Sequence, residues 1–219
     1  MQYKSMDNIQ QWVFTKRREL LSQKIECQER FKRLLKKANV LYIRESPRFK
    51  MNTGEFCFMD FYIPYYKLDI ELDGKQHRDI EHFKRDVEKS EFLWNDEHIA
   101  TVRISNEKVR ELQRLDIQAI WECVDREKRN VIERELLQRR EGWLNFYKYN
   151  EFDVNTPIWL YSKENFQFLQ YNNVIEAQRA CLLSDDKKFY DILEGETKYN
   201  FIAAFCEDEL NEMLEDLKK

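Results

Sequence analysis

Apolar residues along this chain follow two different periods, and the changes of period mark out its elements. Between residues 8 and 38, Leu21, Ile25, Gln28, Phe31, Leu35 and Ala38 recur at spacings of three and four with charged residues between them, which predicts one or two amphipathic helices. VLYIRES at 40–46 reads as a first strand, stopped by Pro47. FCFMDFYI at 56–63 and KLDIELD at 67–73 read as two strands joined as a hairpin through Pro64, Tyr65 and Tyr66. Ile80, Phe83, Val87 and Trp94 then lie along one helical stripe within 79–95, and IATVRIS at 99–105 makes a last strand. The order helix, three strands, helix, strand predicts an α/β core. From Asn106 to about Tyr149 the chain is helical in composition and nearly free of glycine, and a smaller unit follows. The expected organisation is therefore a core with N-terminal helices over 1–108, a helical connector over 109–150 and a small α+β module over 151–219.

One stretch breaks the apolar pattern. LDIELDGKQH at 68–77 places three acids in six positions of an otherwise hydrophobic strand. Side chains of a strand alternate between faces, so Lys67, Asp69, Glu71 and Asp73 share one face and Leu68, Ile70 and Leu72 the other. On the preceding strand Met59, Phe61 and Ile63 are expected on the apolar side, leaving Asp60 opposite with Tyr62. A hairpin register that pairs 60 with 71 sets Asp60 directly across from Glu71, with Cβ atoms about 5 Å apart. Carboxylates so placed repel and resist ionisation unless a cation sits between them. Oxygen ligands of this kind suit Mg²⁺, which takes one or two carboxylates and completes its octahedron with water and substrate phosphate. Simpler readings exist for each part. Asp-Gly after a strand is first of all a turn signal. Asp69, farthest from the turn, is expected to face solvent. Asp86 lies beside its helix's apolar stripe and could equally pair on the surface with Lys84 or Lys89.

Composition narrows the class. With 14% aromatic and 42% hydrophobic residues the chain is too apolar to be disordered. No apolar run approaches a membrane span and the first residues lack a signal-peptide core, so a cytoplasmic protein is expected. Five scattered cysteines, none in a CxxC pair, argue against a disulfide framework and a zinc knuckle. The net charge of −4 conceals an asymmetry: residues 1–50 carry +8 and residues 151–219 carry −8. KRR at 16–18 and RFKRLLKK at 30–37 could neutralise backbone phosphates, or could form solvated helix faces.

FMDFYIPYYKLDIELDGKQH followed by RDVEKSEFLWNDEHIATVRISNEKV resembles the very-short-patch-repair-type branch of the PD-(D/E)XK nuclease superfamily, which includes phage homing endonucleases with an EDxHD motif. The resemblance covers about residues 20–110. It implies a PD-(D/E)XK-type core in which Asp60 is the acid of the second strand and Glu71 that of the third. Asp73 stands where many members keep lysine, His77 follows the third strand, and Asp86 belongs to the following helix. The acid that the family carries on its first helix falls on Gln28, with Glu26 and Glu29 beside it. The arginine usual three residues after the helical Asp is Lys89.

The resemblance implies Mg²⁺- or Mn²⁺-dependent hydrolysis of double-stranded DNA without a small-molecule cofactor, in a bacterial or phage-infected cell. Asp60, Glu71 and the Leu72 carbonyl would hold the metal. Because Asp73 supplies no positive charge, His77 is the expected general base, and Asp86 would orient it or act as an outer-shell partner of the metal. Lys75, Lys84 and Arg103 are expected to contact nucleic acid. A homodimer would serve double-strand cleavage through two-fold symmetry. A defence or repair nuclease acting on damaged or structured nucleic acid, and an inactive nucleic-acid-binding protein on the same fold, are the alternatives. A second resemblance, over residues 157–202, is to the small DNA-binding modules of phage and intron-encoded endonucleases: Glu176-Ala177, Ser184, Ile192-Leu193, Gly195 and Tyr199-Asn200-Phe201 follow that order. Residues 157–205 nevertheless hold 5 Lys/Arg against 7 Asp/Glu, which leaves packing or dimerisation as the other use of this unit.

Overall fold

The computed structural model describes residues 6–23, 25–50, 53–74, 80–150, 152–182, 186–193, 195 and 200–217. The chain forms two units, one of Met1–Ile63 with Lys67–Lys128, the other of Pro64–Tyr66 with Arg129–Lys219.

In the first unit, helices α1 (Met6–Ser22) and α2 (Glu26–Lys37) precede strands β1 (Ile43–Lys50), β2 (Glu55–Ile63) and β3 (Leu68–Asp73). Helix α3 (Ile80–Glu97) then crosses to strand β4 (Ala100–Ser105), and α4 (Asn106–Glu111) and α5 (Ile117–Glu122) follow. The four strands lie in sequence order, β1, β2 and β3 antiparallel and β4 parallel to β3 through the α3 crossover. This is a mixed α/β sheet. Helix α2 buries Cys27, Gln28, Phe31, Leu34 and Leu35 on one stripe, with Glu26 and Glu29 in its first turn and Lys36 and Lys37 in its last, as the helix dipole favours. Phe31 packs edge-on against Phe61 of β2, with ring centroids 5.1 Å apart. On the other side of the sheet Cys57, Met59 and Tyr62 cluster with Phe92 and Leu93 of α3. Ser105 ends β4 and caps α4, its Oγ accepting from the Lys108 amide at 3.2 Å.

Three expectations are corrected here. Pro47 does not stop β1, which continues to Lys50. As the edge strand of the sheet, β1 tolerates a residue without an amide donor. Met59 and Phe61 do not share a face, since Met59 clusters with Tyr62 while Phe61 meets α2. The alternation breaks beside Asp60, between the pairs Arg44–Phe61 and Ser46–Met59, where Glu45 adopts a left-handed conformation with φ 46°. The stripe predicted for α3 is not its inner face: Phe83 is 63% exposed and Val87 is exposed, whereas Phe92 and Leu93 are buried. Farther toward the start of α3 the inner positions are Asp86, which pairs with Arg103 of β4, and Lys89, which faces Glu71 and Asp69 of β3.

The second unit begins within helix α6 (Arg126–Tyr149), whose Ile132, Leu136, Trp143 and Tyr147 are buried. A hairpin of β5 (Ile158–Ser162) and β6 (Gln167–Tyr171) leads to α7 (Val174–Cys181), α8 (Asp186–Leu193), β7 (Phe201–Ala204) and α9 (Glu207–Asp216). Strand β7 pairs antiparallel with β5. Asn173 caps α7 by accepting from the Glu176 amide at 2.9 Å. Among the described residues no helix is long and apolar enough to cross a membrane.

Candidate functional site

The pairs Phe61–Ile70, Tyr62–Asp69 and Ile63–Leu68 fix the β2–β3 register. One step further along, Asp60 stands opposite Glu71. Each carboxylate reaches across to the other strand's backbone: Glu71 Oε1 accepts from the Asp60 amide at 3.2 Å, and Asp60 Oδ2 accepts from the Leu72 amide at 3.0 Å. These bonds orient the two acids. Leu72, expected to lend its carbonyl, thus meets Asp60 through its N–H.

Three further charged groups join them. Lys89 of α3 places Nζ 2.5 Å from Glu71 Oε1, 4.0 Å from Asp69 Oδ2 and within hydrogen-bond reach of the Phe58 carbonyl. Asp69 is wholly buried, which corrects its expected exposure, and neither of its oxygens accepts a hydrogen bond. Glu45, 5% exposed, lies in the field of Asp60 and Glu71.

The electrostatics follow from this crowding. Burial, reinforced by Glu71, lifts the Asp60 carboxyl to about 6, against the opposing pull of the Leu72 amide and of Lys89. Burial and then the neighbouring Asp60 lift Glu45 to about 7. Asp69 is raised well above the usual carboxylate range, by burial first and Glu71 second. Burial pulls Lys89 down, but Asp69 and Glu71 outweigh it and the ammonium is held more firmly than usual. Among the described residues, four carboxyl groups thus lie in the field of the Lys89 ammonium, and the Arg44 guanidinium also acts on Glu45.

The other predicted residues fall in different places. Asp73 and Asp86 each pair with Arg103 Nη1 at 3.2 Å, and Arg103 Nη2 also donates to the Asp86 carbonyl; the charge of Asp73 also adds to the lift on Asp60. Arg103 is thus engaged by two acids of its own sheet and helix. Gln28 is buried on α2, but its Oε1 accepts from Arg44 Nη2 at 3.0 Å, while Glu29 takes Arg44 Nη1. Lys84 is exposed. Lys75 and His77 lie outside the described residues, as do Ser184 and Tyr199 of the second resemblance.

Sequence reasoning missed Glu45 and undervalued Asp69 and Lys89. Asp69 carried a signal, an acid flanked by Leu68 and Ile70 in a buried strand. Glu45 carried none, because its approach depends on a backbone conformation that glutamate seldom adopts. No family model matches the chain, and no match was found among curated proteins or among solved structures. The site's chemistry therefore rests on its own geometry. Among the described residues no three His, Cys, Asp or Glu side chains converge into a ready-made metal cage. An aromatic-lined cavity of about 400 Å³, bordered by Trp12, Phe49, Glu55 and Phe56, is not lined by Glu45, Asp60, Asp69 or Glu71.

Proposed function

We propose that the chain is a divalent-cation-dependent endonuclease that hydrolyses phosphodiester bonds of double-stranded DNA, of the homing or mobile-element type. The observation that carries this reading is the pairing of Asp60 and Glu71 across adjacent strands, in a buried cluster whose acids outnumber its ammonium. The mixed β1–β4 sheet with its α3 crossover is consistent with the PD-(D/E)XK-type core.

The donor set fits Mg²⁺ or Mn²⁺. All four acids offer hard oxygen ligands, and Asp69 holds two buried oxygens with no hydrogen-bond donor. Asp60 and Glu71 would hold the ion with water and phosphate completing its shell, so a preformed cage is not required. When bound there, the ion supplies Lewis-acid polarisation of the scissile phosphate and stabilises charge on the leaving oxygen. The protein's own work is to aim the acids. The Asp60 and Leu72 amides fix the two carboxylates. His77, from the sequence, is proposed to take the proton of the attacking water, with Asp86 orienting it. Lys75, Lys84 and the basic N-terminal segment are proposed to bear on the DNA backbone, and a two-fold dimer to cut both strands.

Supercoiled plasmid incubated with the pure protein tests the proposal. Nicking or linearisation with Mg²⁺, abolished by EDTA and in Asp60→Asn and Glu71→Gln, is the expected result. Unchanged cutting by both folded variants would overturn the assignment. The Lys89–Glu71 ion pair favours a second reading, a nucleic-acid-binding protein whose acids are already compensated. Retention on DNA without cleavage at any divalent concentration would select that reading. Cut-site sequencing separates a site-specific enzyme from a repair or defence nuclease directed by structure.

A further inference from the structure

Lys89 does more than balance charge in the acidic cluster. Its Nζ lies against Glu71 Oε1, within 4.0 Å of Asp69 Oδ2 and on the Phe58 carbonyl, at the point where the acids of β3 converge. Its side chain and that of Glu71 are each only 12% exposed, so water screens their attraction weakly. Asp69 is fully buried beside it and accepts no hydrogen bond, although a carboxylate in that position has capacity for several. The cluster thus has oxygen ligands that its resident cation leaves unused. Among the described residues it also has one ammonium against the acids Glu45, Asp60, Asp69 and Glu71.

We propose that Lys89 is a resident counter-ion that a divalent cation must displace from Glu71, so that this lysine sets the affinity of the site for metal. The inference rests on the reading of Asp60 and Glu71 as ion ligands. In the exchange the Lys89–Glu71 ion pair breaks and Glu71 turns its oxygen to the incoming ion. Lys89 keeps its proton and its bond to the Phe58 carbonyl, so no proton needs to leave the lysine. The helix anchors it there: Phe92 and Leu93, three and four residues on, are buried against the sheet and keep the ammonium close enough to return. Such an arrangement holds the acids together before metal arrives and weakens the binding of metal afterwards. An ammonium a few ångströms from a divalent ion repels it, and removing that repulsion at an effective dielectric near 20 strengthens binding by at least about tenfold.

Calorimetric titration of the full chain with Mn²⁺, unaltered and as Lys89→Met and Glu71→Gln, tests this. The expected result is that Lys89→Met binds Mn²⁺ at least about tenfold more tightly than the unaltered chain, and Glu71→Gln more weakly. Equal or weaker binding by folded Lys89→Met, while the unaltered chain binds, overturns the counter-ion proposal and leaves the metal-site reading standing. Absence of binding by both overturns the two together. Should Lys89→Met not fold, the unaltered chain decides: the Lys89 side-chain resonances, followed by NMR during addition of Mg²⁺, shift in step with binding. Resonances that stay fixed while Mg²⁺ saturates the protein refute displacement.

Discussion

The two units of this chain treat buried polarity in opposite ways. Both pack helices on a small sheet, but among the described residues the buried charged side chains, Arg44, Glu45, Lys67 and Asp69, all belong to the first unit. The second buries polar groups that carry no charge: Ser162, Asn165, Gln167 and Gln178. There, Tyr147 OH donates to Gln178 Oε1 at 2.8 Å, a neutral bond that orders the interior at small cost. Burying an uncompensated charge is far more expensive than burying a satisfied amide, so a fold has little reason to do it for stability alone. The contrast places the buried charge of the described residues in the first unit and neutral polar packing in the second.

Variants can break this contrast, and the largest effect belongs to the paired acids. Asp60→Asn should lower plasmid cleavage by about a thousandfold, the scale of losing a group that stabilises transition-state charge, while circular dichroism shows the fold retained. Activity within a few fold of the unaltered chain would remove the acids' special status. Next comes Lys89→Ala, which removes the ammonium that pairs with Glu71. It should cost about 3 kcal/mol in urea unfolding, because partnerless acids remain buried. A neutral outcome would mean that the cluster relaxes into water.

Acidity gives a third test. Asp60, lifted to about 6 from 3.8, and Glu45, lifted to about 7 from 4.5, hold protons in the folded state that the unfolded chain has already released. Raised carboxyls stabilise fully below their unfolded values, and that contribution is lost as pH rises through the folded ones. In chelator, unfolding free energy should therefore fall by about 4 kcal/mol between pH 5 and 8, and saturating Mg²⁺ should offset much of the fall. A flat profile would show that the acids are better solvated than their burial implies. The smallest effect is expected in the second unit, where Tyr147→Phe should cost about 1 kcal/mol without altering the pH profile.

Much of the first unit was legible because two simple periods govern it. Alternation along 67–73 and the length of the Pro64–Tyr66 connection were enough to bring Asp60 opposite Glu71. The parts that escaped are those in which tertiary context overrides local pattern. Phe83 and Val87 formed a convincing helical stripe, yet α3 turns Asp86 and Lys89 inward there because the sheet offers charged partners, Arg103 and Glu71, instead of an apolar surface. Asp69 was assigned to solvent on the rule that acids lie outside, a rule that fails here because Asp69 lies between Leu68 and Ile70 on a fully buried stretch of β3. Gln28 did fall on the buried stripe of α2, but no spacing argument reveals that Arg44 claims it.

The left-handed residue at Glu45 has one more implication. By shifting the side-chain phase of β1 beside Asp60, it separates the hairpin into two lengths whose inside-outside patterns are set independently. Substitutions between Ser46 and Met59 can thus remodel the outer part of the hairpin without rotating the acids away from their common focus.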